Sequence, residues 1–179
     1  MSGKAALLSA SAGLVILGVV IFGNRTQDAP IGPPEIQYGQ DVCSRCNMII
    51  GDARYAAATV AATPDGQRYT HMFDDIGCAI EYEREQPGQK VLARYVTDVR
   101  SGQWLEAGRA RYVRSRQIVS PMAYGVAACA DASQAAELSQ SVKGEVFDLA
   151  QLREHILKPP APAPAMTEVA GHDHGHGHH

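Results

Sequence analysis

The alternation of apolar and polar positions divides the middle of the chain into short extended segments and short helices. Arg54 to Ala62 (RYAAATVAA) and Gln67 to Phe73 (QRYTHMF) read as two strands joined by the turn TPDG, Thr63 to Gly66. Ile76, Ala79 and Ile80 then recur at helical spacing, which predicts a helix capped by Asp74 and running to about Glu85, where QPGQ stops it. A strand follows over Lys90 to Thr97 (KVLARYVT). The same order returns downstream, with strands at Ala110 to Ser115 and Tyr124 to Ala130, a helix from about Ala132 to Lys143, and the strand GEVFD from Gly144. A last helix, about Leu149 to Leu157 with Asp148 as its cap, closes the pattern.

Sliding the chain against itself by 56 residues pairs Asp75 with Asp131, Ala79 with Ala135, Glu81 with Glu137 and Gly88 with Gly144. The expected fold is therefore α+β: two tandem ββαβ units, about 54–98 and about 109–148, forming one compact domain over 41–157.

The flanks differ in kind. Ala5 to Gly23 is nineteen residues without a charge, a length that crosses a hydrocarbon core of roughly 30 Å. Residues 1–24 are thus expected to be a transmembrane anchor or signal; FGNRTQD offers no small-x-small cleavage site, which favours an uncleaved N-terminal transmembrane helix. Residues 25–40, rich in Pro, Gly and polar side chains, read as a linker. Residues 158–179 read as a Pro/Ala spacer ending in a disordered His-rich tail. The domain is expected on the periplasmic or another extracytoplasmic side of the membrane, where paired cysteines can close into disulfides.

A net charge of −3 and the lack of a basic run interleaved with aromatics give no support for nucleic acid as a partner. No Gly-rich phosphate loop or Ser/His/Asp constellation is present, so the chain is not expected to be an enzyme. The adjacent Asp74 and Asp75 suit helix capping better than acid/base work.

The chemistry lies in sulfur. Four cysteines occur in all, and Cys43, Cys46 and Met48 fall within six residues. Soft thiolates and thioethers select copper(I). A Cys-x-x-Cys pair also supplies half of a structural zinc site, can act in thiol-disulfide exchange, or can form a plain disulfide. Met48, and Met122 in the loop SPMAYG, each read either as a thioether ligand or as core filler. His71 and Met72 are secondary ligand candidates, and alternation along a strand lets only one of them face inward. Cys78 and Cys129 read as small buried hydrophobes. The tail holds His172, His174, His176, His178 and His179, which suit copper(II), nickel or zinc.

CSRCNMIIGDARYAAATV, followed by FDDIGCAIEY and later SPMAYG, resembles the NosL family, accessory proteins of nitrous-oxide reductase, from Asp41 to about Ile156. The resemblance implies two ββαβ units and copper(I) held by Cys43, Cys46 and Met48, with Met122 as an additional thioether. It also implies a metallochaperone supplying copper to nitrous-oxide reductase in denitrification, beside an ABC-transporter accessory complex and its periplasmic partner. Three features depart from the pattern: no lipid-accepting cysteine follows the apolar segment, Asn47 stands where glycine is frequent, and the histidine tail is added.

Overall fold

The computed structural model describes residues 31–158. Two antiparallel sheets and three helices make up this region. The first sheet contains β1 (Ala57–Ala62), β2 (Arg68–Phe73), β3 (Lys90–Thr97) and β4 (Trp104–Glu106), in the spatial order β2-β1-β3-β4. The second contains β5 (Arg111–Arg114), β6 (Val126–Cys129) and β7 (Glu145–Phe147), in the order β6-β5-β7. Helix α1 (Ile76–Glu85) follows β2, α2 (Ala132–Val142) follows β6, and α3 (Leu149–Leu157) ends the region.

Strand alternation sorts side chains between layers. Tyr112, Val126 and Ala128 of the second sheet join Ala57, Phe73 and Val96 of the first in the largest core, where Ile76 and Ile80 of α1 and Leu152 of α3 also sit. The intervening positions Val113, Ala127 and Cys129 face the other way, against Ala135 and Leu138 of α2. Each large side chain withdrawn from water in these clusters contributes about 1.5–3 kcal/mol before chain entropy is counted.

One buried carboxylate ties the first sheet to two helices. Glu83 of α1 accepts from Thr59 Oγ1 at 2.9 Å, from Arg94 Nε at 2.9 Å and from Arg153 Nη1 at 2.7 Å. Burial pushes its carboxyl up, but the hydrogen bonds and charges of these partners outweigh that and hold it below its ordinary value.

The expected strands and helices coincide with observed ones to within three residues at either end. Two points differ. Strand β4 was not expected; at three residues it is too short to show a period, and its pairing with β3 (Tyr95 with Glu106, Thr97 with Trp104) is what extends it. The cap of α1 is Asp75, whose carboxylate accepts from Gly77 N at 2.9 Å, and not Asp74. The expected transmembrane segment and the histidine tail lie outside the described residues, among which no helix is long and apolar enough to cross a membrane.

Candidate metal centre

The cysteine loop is a small hairpin. Val42 bridges Ile49, Cys43 N donates to Met48 O at 2.8 Å, and Asn47 N donates to Cys43 O at 3.0 Å. The turn needs a left-handed residue at Asn47 (φ 59°), and asparagine is among the few non-glycine residues that adopt this conformation readily. The departure from glycine at this position is thereby accommodated.

Edge strand β2 anchors the loop, because Ser44 N donates to Met72 O at 2.8 Å. Arg45, between the two loop cysteines, reaches across to α1. It pairs with Glu81, and with Glu85 at 3.0 Å, and Nη1 donates to Tyr124 Oη at 3.2 Å. Tyr124 in turn lies flat on the first turn of α1, where a Cβ on Gly77 would meet the ring at 2.0 Å.

These contacts bring Cys43 and Cys46 to the point where β2 gives way to α1. There the sulfurs of Cys43, Cys46 and Cys78 and a carboxylate oxygen of Asp74 all lie within 4.8 Å of one another. Cys43 and Cys78 are fully buried, whereas Cys46 is half-buried and donates to Asp74 at 3.4 Å. None of the cysteines is in a disulfide.

The three thiols are electrostatically unlike. The Cys78 thiol donates to Cys43, and backbone N–H groups of Cys46, Asp74 and Arg45 add to this against the opposing effect of burial, bringing the Cys43 thiol down to about 6. Cys46 is pushed up to about 11, chiefly by burial and then by its charged neighbours. Cys78 is pushed up because it is the donor to Cys43 and because it is buried. Of the three, Cys43 is thus the thiol that loses its proton most readily.

The other expected ligands are distributed around this cluster. Met48 follows directly on the loop with its side chain on the surface, 48 % exposed. Met122 is half-buried against the core that holds Cys43 and Cys78, and its backbone N–H donates to Asp75 at 3.1 Å. Met72 packs against the same core. His71 is engaged elsewhere, in hydrogen-bond contact with Tyr82 and Gln89 and packed on the rings of Tyr69 and Tyr82.

Two members of the cluster were assigned other roles from the sequence: Cys78 as core filler and Asp74 as a helix cap. The available signal was positional. Cys78 lies three residues after the true cap, in the first turn, and so faces whatever approaches the start of the helix. Cys129 is buried in the second core, away from the cluster, in agreement with its reading as a small hydrophobe.

Three comparisons bear on this geometry. No curated protein matches the chain. The crystal structure of the copper chaperone NosL from Shewanella denitrificans superposes with a TM-score of 0.57 at 14% identity, covering 68% of this chain and 96% of that one, which shows a shared fold. The family model NosL matches residues 35–157, the whole region that builds the two sheets and the cysteine cluster, and the chain therefore belongs to the NosL family.

Proposed function

We propose that the protein is an extracytoplasmic, membrane-tethered copper(I) chaperone, not an enzyme, which supplies copper for maturation of a copper enzyme, most naturally nitrous-oxide reductase. The observation that carries this reading is the convergence of three cysteine sulfurs at one point of a NosL fold. Soft sulfur donors favour copper(I), and the lowered Cys43 thiol reduces the cost of displacing its proton when the ion binds.

Copper is cargo, so the site must release it. Cys43 and Cys78 are sealed in the core, whereas Cys46 is half-buried and Met48 exposed. Exchange would therefore run through the Cys46 side, with Met48 and Met122 as thioethers that take over the ion as a thiolate lets go. The ABC-transporter complex extends this reading by resemblance, and the tether at residues 1–24, the linker at 25–40 and metal collection by the histidine tail extend it from the sequence.

Redox exchange is the competing role, and it wants its low-pKa thiol at the surface. Here that thiol is Cys43, which is buried, and this favours metal over exchange. Asp74 introduces one further distinction, because its oxygen suits zinc better than copper(I).

An anaerobic copper(I) competition titration, with zinc as control metal, tests the reading on wild type, Cys43→Ser, Cys46→Ser, Cys78→Ser and Met48→Leu. Tight copper(I) binding that weakens by more than roughly a hundredfold without Cys43 is expected, above the range typical of outer-shell partners. Binding of zinc in preference, or copper(I) binding indifferent to all four substitutions, would sink it.

A further inference from the structure

The loop from Ser115 to Gly125 has two working sides. Its inner side is fastened to the metal centre: Ser120 Oγ donates to Asp75 at 2.6 Å, Met122 N donates to the same carboxylate at 3.1 Å, and Tyr124 accepts from Arg45 of the cysteine loop. Its outer side forms one wall of a cleft of about 860 Å³ whose other walls come from the end of α2, β7 and α3.

The charges in this cleft are one-sided. Arg114, Arg116 and Lys143 line it, beside the imidazole of His155, against a single carboxylate, Glu145. Among the described residues, no ion pair engages Arg114, Arg116 or Lys143. Arg114 is steadied by a hydrogen bond to Tyr124 O at 3.2 Å, so its charge is positioned without being neutralised. Cations on concave, low-dielectric walls focus a positive potential into the space between them. Val119, 84 % exposed in the same wall, adds an apolar contact point.

We propose that this cleft receives an acidic segment of the protein with which the chain exchanges copper(I). The acidic character of the occupant follows from the charges of the cleft; its identity as the copper partner rests on the chaperone reading. A concave cleft suits a chain segment better than the flat face of a bilayer. Ser120 both lines the cleft and donates to Asp75, so an occupant would touch the loop that carries Met122 and packs against the metal centre.

Fluorescence anisotropy of fluorescein-labelled octaglutamate on the full-length, reduced, copper-free chain tests the cleft, with octalysine as control. Saturable binding of octaglutamate alone is expected, weakening as salt is added. The double variant Arg116→Glu/Lys143→Glu should lose roughly tenfold or more in affinity. The milder Arg116→Gln/Lys143→Gln should fall between, with thermal unfolding and copper(I) uptake as in wild type. Absence of saturable binding, or equal binding by wild type and charge-reversed protein, overturns the proposal. So does binding to phosphatidylglycerol vesicles through the same two residues in the absence of octaglutamate binding. Failure of wild type to take up copper(I) while octaglutamate still binds overturns only the identity of the partner.

Discussion

The same backbone crook occurs twice in this molecule and is filled in opposite ways. In the first half, the loop carrying Cys43 lies against the end of β2 and the first turn of α1, with Ser44 N bonded to Met72 O. In the second half, the loop after β3 lies against β6 and the first turn of α2, with Val99 N bonded to Ala128 O. The 56-residue shift that superposes the two helices places Ala128 on Met72 and Gln134 on Cys78.

Gln134 closes its crook with protein partners alone. Its Nε2 donates to Asp98 at 2.6 Å and its Oε1 accepts from Ala130 N at 3.2 Å, while Ser101 satisfies the second oxygen of Asp98. Those hydrogen bonds outweigh burial and hold the Asp98 carboxyl below its ordinary value. Cys78 instead donates to Cys43, another soft sulfur, and Cys46 and Asp74 stand within 4.8 Å of both. One crook is complete in itself; the other gathers three sulfurs and a carboxylate that could hold a metal ion, which is where the proposed copper site lies.

The comparison breaks most visibly at Glu83, whose shifted counterpart is Ser139. Glu83→Gln strips a buried carboxylate from between Arg94 and Arg153 and should cost about 3 kcal/mol in urea unfolding. Ser139→Ala removes one bond to Gly144 O and should cost about 1 kcal/mol or less. The pH dependence follows from the lowered Glu83 carboxyl. Its contribution is fully present above the ordinary carboxylate pKa of about 4.3 and is lost as pH falls through the folded value, and Glu83→Gln should flatten that acid limb.

Next in size is Cys78→Ser, which should lower copper(I) affinity by roughly ten- to a hundredfold, read by the same competition titration. Gln134→Ala should leave that affinity untouched while costing about 1–2 kcal/mol in thermal unfolding, because Asp98 and Ala130 N lose their buried partner. Equal effects of the two substitutions on copper would mean that the crooks do not differ as their chemistry indicates.

The smallest effect belongs to Arg45→Ala. Its ion pairs to Glu81 and Glu85 are part-exposed, so stability should fall by about 1 kcal/mol or less. Faster hydrogen exchange at the Cys43 and Asn47 amides would show that Arg45 holds the loop down on α1; unchanged exchange would leave that to the Ser44 bond alone.

Much of this was legible along the chain because its causes are local. The strand runs AATVAA and RYTHMF on either side of the turn TPDG, the stop at QPGQ and the cap at Asp148 depend on residues within a few positions of one another. The capping of α1 was misplaced by one residue because Asp74 and Asp75 are equivalent as sequence. Only the burial of Asp75 beneath Ser120 and Met122, from a loop 45 residues away, separates the cap from the residue that accepts from Cys46.

The sequence by itself determined the element order, the sulfur motif of Cys43, Cys46 and Met48, and the resemblance that goes with it, since each is written within short windows. Tertiary structure alone decided that Cys78 and Asp74 lie together with Cys43 and Cys46, that His71 is bonded elsewhere, and that Arg114, Arg116 and Lys143 share one cleft. The reason is reach: a side chain acts over a few ångströms, and which residues come that close is settled by how the two sheets close over their common core.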